Sequence, residues 1–214
     1  MKFVASSHVS YYSKTFDSFV RSMLESGVPK DDLYFFVGGG DAYEPIENSH
    51  GVHAFTAPHN SVDFTGIVSV LDLDLEADYW FALHDTTRAG PNFYERVSGA
   101  LTWDAVALTA DGPSMNMGAY AWPYLKSRRD EILTRFKNVD YSPEGTQRIK
   151  KLNVDTEDAL LTGKAAFNGS GRVTSGPADH YGTGTPRIVE YFPDVDLYKM
   201  KANWTCKDAY AVAV

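Results

Sequence analysis

Cysteine and long apolar runs are scarce in this sequence. Cys206 is the single cysteine, which excludes an internal disulfide framework and a zinc site built from cysteine alone. No apolar run approaches the ~20 residues of a transmembrane helix, and the first residues turn polar too early for a signal peptide. We therefore expect a protein of a reducing compartment, cytoplasmic and without membrane insertion.

An excess of positive charge is also lacking. The formal net charge is −8 at pH 7, so a nucleic acid or an anionic membrane would be repelled unless a local basic face compensated. We therefore expect no nucleic-acid partner, and an anionic small molecule would need a metal ion or backbone amides to hold it. The 214 residues, 43% of them hydrophobic, suffice to bury the core of one domain.

What the sequence does contain is an alternation of strand-length apolar runs and amphipathic helical patterns, which predicts an α/β fold. Strands are expected at residues 3–5, 33–37, 52–57, 79–83, 103–110, 187–192 and 197–200. Helices are expected after Ser13, after Asn60 or Ser61, and over 119–137 with an interruption at Pro123. The last two strands are expected to form a small antiparallel pair.

The stretch from Ala77 to Gly90 is the centre of the prediction. Tyr79 to Leu83 is a nearly continuous apolar run, typical of a strand buried on both faces, and it ends abruptly in His84 and Asp85. Open α/β sheets bind ligands at the carboxyl ends of their strands. An imidazole and a carboxylate at this edge are therefore placed for function, and a solvated turn is the alternative.

Three places could supply acids for a metal ion. Asp72 and Asp74 have Asp-x-Asp spacing but end a predicted helix, where alternate residues point in different directions, so we expect solvated acids. Asp194 and Asp196 have the same spacing in a proline-marked turn between the late strands, a usual setting for aspartate. Asp85 lies at the edge of the sheet, which favours it as the metal ligand.

The order of these elements resembles a glycosyltransferase of the GT-A type, and more closely the amino-terminal glycosyltransferase domain that chlorella viruses encode to build their capsid glycans. The resemblance covers essentially the whole chain, in particular residues 2–8, 35–41 and 81–86. Leu83 stands where the first aspartate of the usual Asp-x-Asp motif would be, and only Asp85 remains. The resemblance implies a GT-A-like (Rossmann-like) mixed central sheet flanked by helices.

The resemblance also implies an activity. The expected donor is a UDP-sugar, with Mn²⁺ or Mg²⁺ bridging its diphosphate, and the expected reaction moves glucose or a deoxyhexose such as L-rhamnose onto a growing glycan. The acceptor would be a glycan or glycoprotein, namely a viral capsid protein in the host cytoplasm. A divalent cation suits this chemistry because the leaving diphosphate gains charge in a protein that is itself negative.

Residues after the first two strands are expected to line the nucleotide side of the site. Ser6, Ser7 and His8 follow the first strand, and Gly39 and Asp41 belong to a Gly-Gly-Gly-Asp turn after the second. Glycine lets the backbone approach a ligand closely, although this turn is not the Gly-x-Gly-x-x-Gly fingerprint. Asp41 would accept from the base or ribose, and a plain turn residue is the alternative.

Two histidines are further candidates for the site. His84 is expected to contact the donor. His180 lies in a glycine-rich segment, residues 168–185, of the kind that closes over a substrate, and it would be a second metal ligand or a phosphate contact. The alternative is an ordinary exposed loop histidine.

Asp111 is the expected catalytic base if transfer inverts the anomeric carbon. The base must take the acceptor's proton on the face opposite the metal, which excludes Asp85. Asp111 follows a neighbouring strand, and the aromatic rings of Tyr120 and Trp122 come soon after as faces for a sugar. An Asp-Gly turn is the alternative.

The chain is expected to form one domain, with a nucleotide-binding half at 1–110 and an acceptor half with a flexible loop at 111–214. Two other functions remain open from the residues. A metal-dependent nucleotidyltransferase or phosphohydrolase would use a similar carboxylate edge but turn over nucleotides without a sugar acceptor. A non-catalytic carbohydrate-binding module would bind glycan without a divalent metal.

Overall fold

The computed structural model describes residues 1–110, 116–137, 160, 165–169, 173–174 and 189–200. The strands are β1 Lys2–His8, β2 Leu33–Gly38, β3 His53–Ala57, β4 Tyr79–His84, β5 Thr87–Ala89, β6 Ala105–Thr109, β7 Gly118–Ala121, β8 Ala166–Asn168, β9 Val173–Thr174, β10 Val189–Phe192 and β11 Leu197–Met200. The helices are α1 Tyr12–Glu25, α2 Thr65–Asp72, α3 Phe93–Val97, α4 Trp122–Ser127 and α5 Arg129–Phe136, with short 3₁₀ turns at Lys30–Asp32 and Val62–Phe64.

Two sheets organise the described residues. The central sheet has the strand order β3-β2-β1-β4-β7-β6-β8. Its strands β3, β2, β1 and β4 run parallel, whereas β7 is antiparallel to both β4 and β6. The second sheet has the order β5-β11-β10-β9 and is antiparallel. The expected fold class, a mixed α/β sheet with a small late antiparallel element, is confirmed.

The central sheet is covered on both faces, as its continuous apolar runs predict. Neighbouring residues of β1 point to opposite faces, so Phe3 packs among the side chains next to α1 while Val4 packs next to α2. The same division recurs in β4, where Phe81 joins the first cluster and Trp80 the second. The polar residues that follow β4 therefore emerge from a strand whose position is fixed from both sides.

The predicted helix over 119–137 is wrong at its beginning. Gly118–Ala121 forms β7, because this segment fills the space between β4 and β6, and the helix starts only at Trp122. Pro123 occupies the first turn of α4, where its missing N–H has no helical partner to lose. The proline thus helps to begin a helix that it was expected to interrupt.

Two predicted helix caps are also wrong. Ser13 lies inside α1, and Ser61 makes no capping hydrogen bond to the turn that follows it. The antiparallel pairing of the two late strands is confirmed by β10 and β11. Within the part of the chain that the structure describes, no helix is both long and apolar enough to cross a membrane. The division into halves at residue 110 stays a prediction.

Candidate functional site

The carboxyl ends of β1, β2 and β4 meet at one edge of the central sheet. Ser6 is in register with His84, and His8 is in register with Gly38. The structure thus brings the predicted residues of all three strands to the same edge, although Ser6, Ser7 and His8, expected after the first strand, are the last residues of a longer β1, and His84 is the last residue of β4. Their roles in binding stay predictions.

Asp85 is buried directly after β4. The residue is only 5% exposed. Its Oδ2 accepts hydrogen bonds from Ser7 Oγ at 2.5 Å and from Thr15 Oγ1 at 2.8 Å. Burial raises the pKa of the Asp85 carboxyl, against the lowering effect of these hydroxyls and of the charges on Lys199 and Arg88. Within the described residues, Oδ1 accepts no hydrogen bond and is the oxygen left for a ligand.

The Asp85 turn is braced by Arg88. The guanidinium donates to the carbonyl oxygen of Asp85 at 2.9 Å and to that of Thr87 at 2.6 Å, and it also donates to Ser18 Oγ on α1. Burial lowers the pKa of Arg88 to about 10, partly opposed by the Asp85 charge, so the group is cationic at neutral pH. The guanidinium therefore ties the turn to the helix beside it.

His84 lies between a lysine and a carboxylate. Lys199 Nζ is 2.6 Å from His84 Nδ1 and donates to Thr86 Oγ1 at 2.7 Å, and His84 Nε2 is 3.7 Å from Asp63 Oδ1. Lys199 comes from β11, so the small sheet meets the central sheet at this point. Sequence reasoning missed both Lys199 and Asp63 as residues of this edge.

Ser6 holds the neighbouring segment in place. Its hydroxyl donates to the carbonyl oxygen of Asp63 at 2.9 Å and accepts from the N–H of Gly66 at 2.9 Å. A Cβ at Gly66 would come within 2.8 Å of Val4, so glycine allows α2 to lie this close to β1. Ser6 thereby fixes the backbone of Asp63 and the start of α2 beside β1.

His8 and Gly39 are packed against each other beyond β1 and β2. Gly39 has a φ of +88°, and a Cβ there would lie 2.8 Å from His8 Nε2, so both backbone conformation and space require glycine. The His8 ring stacks on Tyr11 with centroids 5.7 Å apart, and burial lowers the pKa of the imidazole. Asp41 lies on an exposed bend just beyond.

A buried hydrogen-bond network around His59 supports the turn at Gly39. His59 is 2% exposed, and its ring contacts Ser61 Oγ at 2.8 Å through Nδ1 and Tyr43 OH at 3.0 Å through Nε2. The carbonyl oxygen of His59 accepts from the N–H of Gly39 at 2.9 Å. Burial lowers the pKa of His59 to about 4. No sequence pattern had singled out this histidine.

The aspartates of the two Asp-x-Asp sequences, at residues 72–74 and 194–196, form hydrogen bonds and ion pairs within the fold. Asp74 is exposed and pairs with Lys126 at 2.8 Å, as expected of a solvated acid. Asp72 departs from that expectation, because its Oδ2 accepts from Tyr43 OH at 2.9 Å and from Lys137 at 2.8 Å. Asp196 lies in the turn between β10 and β11, where its carboxylate accepts from the N–H of Asn92 at 2.9 Å.

The aromatic faces expected to hold an acceptor sugar are not available to it. Tyr120 is fully buried and Trp122 is 7% exposed, both in the apolar cluster beside α2 and α5. The reason is that Tyr120 belongs to β7 and points into the core. Asp111 and His180 lie outside the described residues, so the catalytic base and the second metal ligand stay predictions.

The side chains at this edge of the sheet can be compared with those that a metal ion needs as ligands. Among the described residues, no group of three histidine, cysteine, aspartate or glutamate side chains is close enough to hold an ion. Mg²⁺, however, is usually held by one or two carboxylates together with substrate phosphates. Asp85 with its available Oδ1 fits an Mg²⁺ or Mn²⁺ ion that enters together with a phosphorylated ligand.

No protein-family model matches the chain, and no curated protein does. Among solved structures, the chain is similar to the apo form of the glycosyltransferase GlyE from Streptococcus pneumoniae, with 12% sequence identity and a TM-score of 0.43. The similarity covers 78% of this chain, which spans 45% of the length of that protein. A likeness of this extent does not assign a function to the chain.

Proposed function

We propose that the chain is a glycosyltransferase that binds a nucleoside-diphosphate sugar, UDP-linked, at the shared edge of β1, β2 and β4. The observation that carries the proposal is the buried carboxylate of Asp85 at the end of the central strand, on the same sheet edge as the Gly38–Asp41 turn, from which β1 separates it. Ligands of open α/β sheets bind in this position. The resemblance of the sequence to GT-A enzymes names the ligand class.

The residues of the edge divide into two parts. The turn at Gly39, packed closely on His8, would face the nucleoside with its backbone, and the exposed Asp41 would accept from the ribose or base. Asp85 would hold Mg²⁺ or Mn²⁺ through Oδ1, and when bound this ion compensates the charge of the leaving diphosphate. Ser7 and Thr15 orient the carboxylate by holding Oδ2.

The finer assignments belong to the same proposal. Glucose or L-rhamnose as the transferred sugar, a viral capsid glycan as the acceptor and a cytoplasmic location rest on the resemblance of the sequence. Asp111 as the base and His180 as a second ligand complete the proposed reaction, in which the base removes the proton of the acceptor hydroxyl.

The test is turnover of UDP-glucose and UDP-L-rhamnose by the purified chain, with and without Mn²⁺, in the presence of short glycan acceptors. Asp85→Asn should abolish metal-dependent release of UDP and formation of the glycosylated product. Asp74→Asn is the matched control, because Asp74 is an exposed aspartate paired with a lysine on the surface. Equal loss in both variants would overturn the assignment of Asp85.

Two other outcomes would replace the proposal. Hydrolysis of nucleotides at the same rate with and without acceptor would indicate a phosphohydrolase. Glycan binding that needs no metal, without any turnover, would indicate a carbohydrate-binding module. Product analysis by mass spectrometry separates these outcomes from transfer.

A further inference from the structure

The small antiparallel sheet carries a pair of tyrosines on the face that does not pack into the core. The residues that precede and follow the pair in β10 and β11 are buried, namely Glu190, Phe192, Leu197 and Lys199. Side chains alternate between the two faces of a strand, so Tyr191 and Tyr198 point to the opposite face, where both are half-buried. Their rings therefore border the solvent on the outer face of this sheet.

The two tyrosines are held together as one unit. They are in register across β10 and β11, and their rings stack with centroids 4.5 Å apart and planes at 26°. Tyr191 OH donates to Asp196 Oδ1 at 3.1 Å, and the N–H of Asn92 donates to the other oxygen of this carboxylate at 2.9 Å. Rings that are already ordered offer a large contact area to a ligand at a low cost in conformational entropy.

Arg88 connects the tyrosine pair to the turn at Asp85. Arg88 on β5 is in register with Tyr198, so the same face of the sheet carries Arg88, Tyr198 and Tyr191 side by side. Because neighbouring strands lie about 4.8 Å apart, the tyrosine Cα atoms are about 5 Å and 10 Å from that of Arg88. The Arg88 guanidinium donates to the carbonyl oxygen of Asp85 at 2.9 Å. The row of three side chains thus begins at the turn that holds the proposed metal ligand.

The row belongs to a different sheet from the residues proposed to bind the nucleotide. Those residues come from β1 and β2 of the central sheet, whereas Tyr191 and Tyr198 come from the small sheet. The two sheets are joined by Asp85 and Thr86, the only residues between β4 and β5. Transfer of a sugar requires the donor and the acceptor to be held next to each other. A ligand on the tyrosine pair would reach the same turn as the donor without sharing its strands.

The chemistry of the pair suits an uncharged saccharide. The face of an aromatic ring carries partial negative charge, which attracts the C–H groups of a sugar, and a phenolic hydroxyl bonds to sugar hydroxyls. Tyr191 OH is already bound to Asp196, whereas within the described part of the chain Tyr198 OH has no hydrogen-bond partner. An uncharged ligand also avoids repulsion by a protein of net charge −8. The aromatic residues first expected to hold the acceptor, Tyr120 and Trp122, are buried.

We infer that Tyr198 and Tyr191 form the binding surface for the acceptor glycan, with Tyr198 nearer to Asp85 and its ring packed against a sugar unit. The ligand class is a neutral glycan. Its role as the acceptor rests on the proposed function, since the pair supplies the acceptor side of the same site. Donor binding does not involve either tyrosine.

Direct binding is measured by NMR on the chain labelled with ¹³C-tyrosine, with the two ring signals identified by their loss in Tyr198→Phe and Tyr191→Phe. The probes are cellobiose, maltose and lactose, each added in the presence of UDP. A saturable shift of the Tyr198 and Tyr191 signals, without a shift of the Tyr34 signal, is the expected result. Unshifted signals of both tyrosines with all of these disaccharides would overturn the inference.

Transfer kinetics test the role of the bound glycan, with UDP-glucose as the donor and the disaccharides that bind as acceptors. Tyr198→Leu should raise the acceptor KM by about 2-fold to 12-fold, which corresponds to one lost aromatic contact, and should leave the KM for UDP-glucose unchanged. Tyr198→Phe, which keeps the ring, should raise the acceptor KM less.

Tyr34→Leu is the matched control. Tyr34 is also half-buried, and it stacks on His53 across neighbouring strands with centroids 4.5 Å apart, but it lies at the opposite end of the central sheet. The acceptor KM should be unchanged in this variant. An equal rise in Tyr34→Leu, or no rise in Tyr198→Leu, would show that the tyrosine pair only stabilises the sheet.

Donor binding separates the two proposals. Binding and turnover of UDP-glucose together with unshifted tyrosine signals would overturn the inference and leave the proposed function in place. If the wild type bound disaccharides at the tyrosines but no UDP-sugar, the proposed function and the acceptor role would both fall, and a glycan-binding surface would stand. A dimer in analytical ultracentrifugation that Tyr198→Leu converts to a monomer would assign this face to a second copy of the chain and overturn the inference.

Discussion

Acidification from pH 7 to pH 5 should destabilise the protein through His59. Burial lowers the pKa of His59 from 6.5 in the unfolded chain to about 4 in the folded one. Between these values the unfolded state binds more protons than the folded state, so the free energy of unfolding falls as the pH falls. This contribution is fully present above pH 6.5 and is lost as the pH approaches 4.

The magnitude follows from the difference in pKa. One pKa unit corresponds to 1.36 kcal/mol, so the shift from 6.5 to about 4 sets a ceiling of roughly 3 kcal/mol. About 2 kcal/mol of it should be lost between pH 7 and pH 5. The pKa of His59 is low because its ring is buried among hydroxyl groups. The positive charge of Lys137 further disfavours protonation of the ring.

The assay is urea unfolding followed by tryptophan fluorescence at pH 7 and pH 5. His59→Gln removes the titrating group while its amide keeps hydrogen-bonding capacity, so the variant should lose less stability than the wild type over the same pH interval. The half-buried His53 supplies the control variant His53→Gln. Identical pH dependence of the wild type and His59→Gln would refute the reasoning.

Three further variants test other parts of the structure. Gly39→Ala should destabilise the fold by about 1–2 kcal/mol, because alanine is strained at a φ of +88° and its Cβ meets the His8 ring; a melting temperature equal to that of the wild type would contradict this. Thr15→Val should lower the unfolding free energy by about 1–3 kcal/mol, since it removes a hydrogen bond to the buried Asp85 carboxylate; chemical denaturation measures the loss, and a neutral result would show that the carboxylate does not depend on this hydroxyl. Trp80→Ala should cost about 3–5 kcal/mol, because the indole is fully buried in the central strand; a loss below 1 kcal/mol in the same assay would show that the core collapses around the gap.

The sequence predicted those parts of the fold that depend on local pattern. The apolar run Tyr79–Leu83 correctly indicated a strand buried on both faces, and its abrupt polar end indicated the edge at Asp85. The antiparallel pairing of β10 and β11 was likewise predicted. In each case the local pattern of residues is enough to predict the strand, because the order of apolar and polar residues along a strand determines which of its faces are buried.

The remaining features depend on contacts between distant segments. Ala119 and Tyr120 form part of a strand because β4 and β6 bind them on either side, which overrides local propensity. Lys199 reaches His84 across 115 positions of sequence, and a lysine in a late strand reads as a solvent-facing residue. Three-dimensional proximity was needed to reveal that this lysine and Asp63 belong to the same edge as Asp85.

The short connection between β4 and β5 limits how the protein can be divided. Asp85 and Thr86 alone separate the central strand from the first strand of the small sheet. A truncation that removes residues 189–200 would leave β5 without a strand partner among the described residues, expose its edge, and remove the lysine beside His84. The small sheet is therefore not a detachable module, and engineered fusions or permutations of this chain should keep β5, β10 and β11 together with the central sheet.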